Sequence, residues 1–438
     1  MEDLRGRQLV VPFHQLTAYP ETLFEYRQSI LLDKILRCQR CGSVVDRREN
    51  CLPNRVFFCS MCQEFGKLTS DCRLVSSKRS EERQAVREVT FTWSGKLTET
   101  QAFIAGQLQK HYQQERSTLL WAVTGSGKTE MIFPTIHFAL SQGGRVCVTS
   151  PRIDVCRELY PRVVEAFQAE QVLLLYGEST EKYRCTNLTI CTTHQMLHFY
   201  QAFDLIIVDE IDAFPYEGNP VLQFALKNAL KPSGQLIYLT ATPPNHLLEE
   251  VKDSFAIEKS PLRFHQRPLI EPECLWYKHW EKAGDTSFYF KKFYRKVLEL
   301  LKDNHVLVFC PSIAFMEKLT GRTQKQFALG GVESVSSIDE GRAEKVQKMR
   351  EQSYQVLFST TILERGVTFE NVSVIVIGAN HPVYTKSALV QIAGRVDRKG
   401  AFRRGRVIFF HNQKTHAIRQ ACREIKNMNQ LAKAWLDK

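Results

Sequence analysis

The residues best suited to chemistry form a loop at 122–129, where small residues surround one lysine and one terminal hydroxyl. Small residues let backbone N–H groups curl around phosphate oxygens, while the lysine can reach the β- and γ-phosphates and the hydroxyl can ligate Mg²⁺. An apolar run precedes the loop and a helix is expected after it, so that the helix amino end faces the phosphates. The pattern predicts a site for ATP and Mg²⁺ made by Ala122, Val123, Thr124, Gly125, Ser126, Gly127, Lys128 and Thr129.

Two carboxylates, Asp209 and Glu210, follow the apolar run at 205–208. The carboxyl end of a parallel strand is where such a sheet places its ligand chemistry. Asp209 is predicted to hold Mg²⁺, through water, and Glu210 to polarise the attacking water. Acids after strands are common, and the prediction gains its specificity from the phosphate loop earlier in the same domain.

Two Cys-x-x-Cys pairs lie near the amino end, separated by seventeen residues. Four thiolates at this spacing suit tetrahedral Zn²⁺ in a closed, structural site. The predicted zinc ligands are Cys38, Cys41, Cys59 and Cys62. Cys51 or Cys72 could replace a ligand, but each is better interpreted as a lone thiol.

Basic and aromatic residues lie between the two cysteine pairs, at Arg47, Arg48, Arg55, Phe57 and Phe58. They could bind single-stranded DNA by charge and stacking. Alternatively, the phenylalanines support a small core and the arginines are solvated. The cysteine module could equally be a docking surface for a protein.

The composition of the 438 residues, 43% hydrophobic and 24% charged, is typical of a folded globular protein. The net charge of +12 favours a polyanionic partner without specifying one. No apolar run approaches the roughly 18 residues that cross a bilayer. Thirteen cysteines without a secretion signal indicate a reducing compartment, so a cytoplasmic location is expected.

Short β-branched runs alternate with amphipathic stretches from residue 119 onward, a pattern typical of parallel strands buried on both faces. The alternation predicts an α/β fold with two parallel-sheet motor domains in tandem, preceded by the zinc module. The predicted domains are 1–88, 89–260 and 261–438. Residues 75–90 are interpreted as a linker, and 414–438 as a basic amphipathic helix.

The order of short motifs resembles that of superfamily 2 helicases and translocases, which have RecA-like domains. The motifs, besides the loop and Asp-Glu pair, lie at 97–101, 149–152, 176–177, 192–194, 240–242, 310–312, 359–367 and 391–398. The resemblance implies that Gln101 reads adenine and that Gly366 lies at the nucleotide. It also implies that Arg395 and Arg398 stabilise the γ-phosphate during transfer, as an arginine finger does.

The same resemblance implies backbone contacts to a nucleic acid, which hydroxyls and backbone N–H groups can make without reading bases. The implied contact residues are Pro151, Arg152, Gly177, Thr192, Thr193 and Thr360. The acidic motif is Asp-Glu-Ile-Asp rather than the form of RNA-acting subfamilies, which favours DNA. Phe91 or Trp93 could stack on the adenine.

A four-cysteine module followed by Leu-Thr-x-x-Gln, Thr-Gly-Ser-Gly-Lys-Thr-Glu and Asp-Glu-Ile-Asp resembles the ComFA family of late-competence ATPases. The resemblance covers about residues 38–398. It implies ATP hydrolysis stimulated by single-stranded DNA, and uptake of the incoming strand through a membrane channel into the cytosol. It also implies partners among the competence proteins, notably ComFC, with possible homo-oligomers and a peripheral position at the membrane.

Two alternatives stay open at this point. A replication-restart or repair helicase of the PriA type shares the text of several motifs, but its zinc-binding cysteines lie within the motor rather than before it. A non-motor regulator could use the ATPase domains as a switch. Retention of Lys128, Glu210, Arg395 and Arg398 argues against that second alternative.

Overall fold

The computed structural model describes residues 4–78, 85–177, 179, 181–326, 331–398 and 405–437, so 79–84 of the predicted linker lie outside it. The chain divides into two compact units. The first comprises Met1–Trp121, Lys128–Thr240 and Asn245–Lys259. The second comprises Ala122–Gly127, Ala241–Pro244 and Ser260–Lys438. The domain limits inferred from sequence stay predictions.

The amino-terminal part of the first unit is built from short antiparallel strands. They are β1 (Gln8–Pro12), β2 (Phe24–Gln28), β3 (Ile30–Leu31), β4 (Arg37–Cys38) and β5 (Cys72–Ser77). One sheet has the order β1-β5-β2, and β3 pairs with β4, which brings in the first cysteine of the module. The prediction of a linker from residue 75 is wrong at its start, because residues 75–77 belong to β5: Val75 and Ser76 pair with both β1 and β2, and Ser77 pairs with β2.

The rest of the first unit is a seven-stranded sheet flanked by helices. Its elements are α1 (Glu99–Gln113), β6 (Thr118–Ala122), α2 (Lys128–Ser141), β7 (Val146–Ser150), α3 (Ile153–Ala166), β8 (Val172–Leu175), β9 (Leu188–Thr192), β10 (Phe203–Asp209), α4 (Pro220–Ala229), β11 (Leu230–Thr240), α5 (Asn245–Val251) and β12 (Ala256–Ser260). The strand order is β12-β6-β11-β10-β7-β9-β8. Every residue of β7, β9 and β10 is buried, as continuous apolar strands of a parallel sheet require.

The second unit contains a six-stranded sheet of the same kind. Its elements are β13 (Glu273–Trp276), α6 (Ser287–Leu300), β14 (His305–Phe309), α7 (Ile313–Gln326), β15 (Val332–Val335), α8 (Arg342–Arg350), β16 (Val356–Ser359), β17 (Val372–Ile377), α9 (Lys386–Ala393), β18 (Val407–His411) and α10 (His416–Leu436). The order is β13-β18-β17-β14-β16-β15, with parallel pairing throughout. The two parallel sheets confirm the predicted α/β fold class, and α10 lies where the carboxyl-terminal helix was expected.

No helix among the described residues combines the length and the apolar character that a membrane crossing needs.

Candidate nucleotide, nucleic-acid and metal sites

The phosphate loop joins a buried strand to a helix, as predicted. Strand β6 ends at Ala122 and α2 begins at Lys128, so the loop lies directly before the helix amino end. Gly125 and Gly127 have φ angles of 78° and 79°, a left-handed conformation that glycine adopts without strain. This conformation turns successive backbone N–H groups toward one side, which is the arrangement that binds phosphate oxygens.

Asp209 and Glu210 lie at the carboxyl end of β10, in the centre of the first sheet. Burial raises the pKa of Asp209 to about 6, although the positive charge of Lys128 opposes that rise. Glu210 has a φ of 56°, and its backbone N–H donates to Asp209 Oδ1 at 2.9 Å. Among the described residues, no group hydrogen-bonds the buried Glu210 Oε2. A buried carboxylate oxygen with no hydrogen-bond partner in the described part of the chain fits a site that is completed by water and a cation.

The predicted nucleic-acid contacts of the first unit lie on the same sheet edge. Strands β10, β7, β9 and β8 are consecutive neighbours and parallel, so the residues after each of them meet at one edge. Pro151 and Arg152 follow β7, Thr192 ends β9, and Gly177 follows β8 by two residues. Arg152 and Gly177 are accessible, whereas Thr193 is 0% exposed, so that threonine can offer a strand its backbone only after rearrangement.

The two predicted finger arginines are engaged within the second unit. Arg395 donates to the backbone carbonyls of Glu364 and Val367, and it is 3% exposed. Arg398 donates to the Val367 carbonyl at 3.0 Å and is more accessible. Both therefore hold the segment that contains Gly366, whose φ of 71° requires a glycine. To reach a phosphate, each guanidinium must exchange these carbonyl bonds for the ligand.

Gln101 has a structural role at the start of α1. Thr98 is the N-cap, its hydroxyl accepts from the Gln101 backbone N–H, and the Gln101 side-chain oxygen accepts from the Thr98 N–H at 2.9 Å. This capping box satisfies two N–H groups that the helix start would leave unpaired. Adenine recognition by Gln101 stays a prediction, as does stacking by Phe91, which packs here against other aromatic rings.

The four predicted zinc ligands lie together. Their sulfur atoms all lie within 4.8 Å of one another, and all four side chains are buried. Cys38 Sγ lies 3.7 Å from Cys62 Sγ, and Cys41 Sγ lies 3.6 Å from Cys59 Sγ. Gly42 has a φ of 75° and donates its N–H to the Cys38 carbonyl, which closes the first knuckle. The cluster can hold a metal ion, and neither Cys51 nor Cys72 belongs to it.

Known proteins share both the motor regions and most of the chain. The DEAD/DEAH box helicase family matches residues 101–251, and the helicase conserved C-terminal domain matches residues 291–400. Competence protein ComFA of Streptococcus pneumoniae is 41% identical over 399 residues, which cover 91% of each chain. ComFA of Bacillus subtilis is 39% identical over 405 residues, 90% of this chain and 86% of the relative. The chain belongs to the ComFA family.

This ComFA-family chain is an ATP-dependent, helicase-like enzyme of competence, and the two helicase domains imply that it uses ATP and Mg²⁺. A restart or repair helicase is less well supported. ATP-dependent DNA helicase RecG of Bacillus subtilis is 26% identical over 331 residues, which cover 67% of this chain and 45% of the relative. The competence interpretation made from the motif text is thus confirmed.

Solved helicase structures confirm the fold of the motor. Dbp5 of S. cerevisiae, bound to RNA and ADP BeF3, superimposes with a TM-score of 0.56 at 16% identity over 77% of this chain and 97% of its own. Lhr of Mycobacterium smegmatis, bound to ssDNA and AMP-PNP, gives 0.56 at 17% identity over 77% of this chain and 48% of its own. At such low identity the likeness establishes two RecA-like domains and nothing about substrate.

Sequence reasoning missed Arg40, which lies inside the cysteine module of the ComFA-family chain. It is 2% exposed, and its Nε lies 3.2 Å from Cys62 Sγ. The rest of the guanidinium donates to the carbonyls of Cys62, Phe65 and Gly66. The pKa of Cys62 is lowered by the neighbouring Cys38 thiol and, to a lesser extent, by the charge of Arg40. The one sequence signal for this role is the position of Arg40 between the first two cysteines of the module.

Sequence reasoning also missed how the module is attached. The four cysteines and the motor side chains around Phe199 and Leu222 belong to one continuous hydrophobic core. Phe65 stacks on His194 with ring centroids 5.9 Å apart and also contacts His198. Burial, together with nearby arginines, lowers the pKa of His198 to about 4, so its ring is neutral at pH 7. The module therefore packs on the segment that directly follows Thr192.

Proposed function

We propose that this ComFA-family chain is an ATP-driven translocase that draws single-stranded transforming DNA into the cytosol. The observation that carries the proposal is the shared edge of the first sheet. Asp209 ends β10. The accessible Arg152 follows β7 and the accessible Gly177 follows β8, and both strands lie on the same side of β10 in the sheet. A nucleotide-dependent change at Asp209 can therefore reach Arg152 through the adjacent strand β7, and Gly177 through the third strand along, β8.

The ATP chemistry is assigned to side chains of the loop and of β10. Backbone N–H groups of the loop and the Lys128 ammonium bind the phosphates. Thr129 and Asp209 would hold Mg²⁺, which neutralises phosphate charge during transfer. Glu210, whose Oε2 is buried without a partner among the described residues, positions and polarises the attacking water.

Arg398 is the better-placed of the two arginines for contact with the phosphates. It is more accessible than Arg395, which is 3% exposed. Arg395 is held by three bonds to carbonyls, so we assign it the positioning of the Gly366 segment as well as a finger role. Thr360, which follows β16, is the proposed DNA contact of the second unit.

The module is proposed to bind one Zn²⁺ ion. With Zn–S bonds of about 2.3 Å, a tetrahedral site has its sulfur atoms about 3.8 Å apart. Two of the S···S separations are 3.6 and 3.7 Å and all lie within 4.8 Å, which supports this assignment. Because all four thiols are ligands, the ion has no open position for catalysis and its role is structural.

The remaining elements of the proposal concern organisation and location. The domains are assigned to 1–88, 89–260 and 261–438. The protein acts in the cytoplasm, with peripheral association at the inner face of the membrane beside a DNA-uptake channel. ComFC and other competence proteins are the expected partners, and homo-oligomers are expected. The domain limits are supported by the alternation of apolar runs and amphipathic stretches, the cytoplasmic location by the cysteine usage, and the competence partners by the family resemblance.

The test is ATP hydrolysis by the purified protein with single-stranded DNA, duplex DNA, forked duplex or RNA added in turn. Strong stimulation by single-stranded DNA is expected, with the Lys128→Ala variant as the blank for contaminating ATPases. Stimulation mainly by forked duplex would favour a restart helicase, and stimulation by RNA would contradict the proposed substrate.

A further inference from the structure

A surface of the second unit combines exposed aromatic rings with lysines, outside every motif discussed so far. Residues 276–296 contain eight aromatic residues, six Lys or Arg and two acids. Tyr277, Trp280, Phe290 and Phe293 are buried in the core of the second unit. Trp276 is 57% exposed and Phe288 is 78% exposed, although both are large apolar side chains. Core packing therefore explains four of the rings and leaves these two unexplained.

Several contacts hold the exposed rings in one place. The Trp276 ring contacts the His411 ring edge-on with centroids 6.0 Å apart, and Lys292 Nζ donates to the backbone carbonyl of Trp276. Phe288 lies 5.2 Å, centroid to centroid, from Tyr289. The adjacent Tyr277 hydroxyl donates to the Tyr289 carbonyl, which ties the end of β13 to the start of α6. The two rings thus flank the joined ends of β13 and α6, and with Lys278, Lys282 and Lys292 they are defined here as the aromatic–basic surface.

The charge around these rings is positive. Lys278, Lys282 and Lys292 are exposed beside them, and Lys282 Nζ lies 5.9 Å from the Tyr289 ring centre. Of the two acids of the segment, Asp285 pairs with Lys318, while Glu281 accepts a hydrogen bond from the neutral side chain of Asn412 and keeps its charge. The three lysines still leave a net positive charge beside the rings, and flat rings among exposed ammonium groups suit a ligand that offers both bases and phosphates.

The place of the surface in the sheet points the same way. β13 runs parallel to β18, so Trp276 lies at the carboxyl edge of the sheet, at its outermost strand. Thr360, the proposed DNA contact, follows β16 on that same edge. Four strand spacings separate β13 from β16, which is about 19 Å. A strand of a few nucleotides would cover that distance, within the range of about 4–16 nucleotides typical of stacking sites.

We propose that Trp276 and Phe288, with Lys278 and Lys282, form a second binding surface for single-stranded nucleic acid, where bases stack on the rings and the lysines bind phosphates. The inference rests on the proposed function, because it extends the path of the DNA beyond Thr360. A motor that grips the backbone alone releases its strand readily in salt. Stacking at the edge of the second unit retains the strand without reading its sequence, since every base has an aromatic face.

The test measures binding of fluorescein-labelled oligo-dT to the full-length protein by anisotropy. Trp276→Ala and Phe288→Ala should each weaken binding about tenfold, whereas Trp276→Phe, which keeps a ring, should stay within about threefold. Leu298→Ala is the matched control, because Leu298 is an apolar residue of α6 that is 42% exposed and lies outside the surface. The affinity of this variant for oligo-dT should equal that of the wild type. Lys278→Gln with Lys282→Gln should lower the slope of log affinity against log salt by about 1.4.

ATP hydrolysis separates this inference from the proposed function. The Trp276→Ala variant should need about ten times more oligo-dT for half-maximal stimulation, with unchanged rates at saturation and without DNA. A wild-type rate of ATP hydrolysis that oligo-dT does not raise would overturn the proposed function itself. Wild-type stimulation with equal affinity in the Ala variants would overturn only this surface. Unchanged oligo-dT affinity together with loss of a competence protein in pull-down would assign the rings to a protein partner and also overturn the inference.

Discussion

The phosphate loop and the four-cysteine module both gather their ligand atoms from short stretches of chain, but they are held in the protein differently. The loop is fixed by the strand before it, the helix after it and two left-handed glycines. The module is fixed by distant residues, through Phe65 on His194 and a hydrophobic core shared with the motor. The difference teaches that losing the ATP ligands should leave the fold intact, whereas losing the metal should disturb the motor.

The largest effect should follow Lys128→Ala. Its ammonium is the only loop cation beside buried Asp209 and the phosphates, so turnover should fall at least about a hundredfold. DNA binding and thermal unfolding should change little, because neither depends on the phosphate contact. The measurements are steady-state ATP hydrolysis, oligo-dT anisotropy and a thermal melt.

Lys227→Ala is the matched control for that prediction, since Lys227 is an exposed lysine of α4 in the same unit. Its turnover should equal that of the wild type. Wild-type turnover in the Lys128→Ala variant would contradict the proposed phosphate site. A much lower melting temperature in that variant would show that the loop, like the module, is needed for the fold.

The second effect should follow Cys38→Ser combined with Cys59→Ser. Removing one thiolate from each knuckle should abolish stoichiometric zinc, because the two remaining thiolates cannot complete the tetrahedron. Since the module shares its core with the motor, the melting temperature should also fall by several degrees and solubility should drop. Zinc is measured with a chromophoric chelator after denaturation.

Cys72→Ser is the control for the double variant, because Cys72 is buried nearby but outside the sulfur cluster. It should keep one zinc per chain. A double variant that loses zinc yet melts like the wild type would mean that the module is an independent appendage. Retention of zinc in the double variant would mean that the ligand set is wrong.

The third effect isolates the docking contact. A Cβ added at Gly42 would lie 2.6 Å from the Phe224 ring, whereas one added at Gly66 meets no heavy atom within 4 Å. Both glycines have positive φ, so both Ala variants carry a backbone cost, of about 1–3 kcal/mol, which need not be equal because Gly66 combines φ 92° with an extended ψ of 142°. Overpacking against Phe224 should add about 2 kcal/mol to the cost of Gly42→Ala, a contribution that Gly66→Ala lacks.

A double-mutant cycle with Phe224→Ala tests that difference through unfolding free energies. Shortening Phe224 should relieve most of the extra cost at Gly42, giving a coupling of about 1–2 kcal/mol. The same cycle at Gly66 should be additive. Additivity at both positions would show that the knuckle does not press on α4 in solution.

Local pattern explains which features were predictable. The strands β6, β7 and β10, and the part of β11 from Gln235 onward, are short apolar runs, a composition that burial on both faces imposes. The phosphate loop and the cysteine pairs were recognised because their chemistry is concentrated in a few adjacent residues. The short strands β13 and β15 were not, since four residues with polar members carry too little pattern to identify a strand.

Contacts between residues far apart in sequence explain what was missed. Nothing near Phe65 in the sequence indicates that it will stack on a histidine about 130 positions later, because packing partners are set by the tertiary fold. The burial of Thr193 and the carbonyl bonds of Arg395 are similarly invisible in a motif. A motif indicates the residue types that a site needs, but it does not indicate which of those residues are exposed in the folded protein.

The smallest effect should follow Arg40→Gln, and it compares charge with packing inside the module. Four thiolates around Zn²⁺ carry a net charge of −2, and Arg40 is the buried cation that lies 3.2 Å from one of them, at Cys62. Its guanidinium also holds the carbonyls of Phe65 and Gly66, which close the second knuckle. Loss of such an outer partner typically weakens metal binding by about tenfold or more.

Zinc release to a competing chelator should therefore be about tenfold faster in Arg40→Gln, while Arg47→Gln, an exposed arginine of the same module, should match the wild type. Arg40→Lys separates the two contributions, because lysine keeps the charge but cannot bond the sulfur and three carbonyls together. Release near the wild-type rate in Arg40→Lys would assign the effect to charge on the thiolates. Release as fast as in Arg40→Gln would assign the effect to the carbonyl bonds. Phe65, whose carbonyl Arg40 holds, would then link the metal to His194, which directly follows the proposed DNA contacts Thr192 and Thr193.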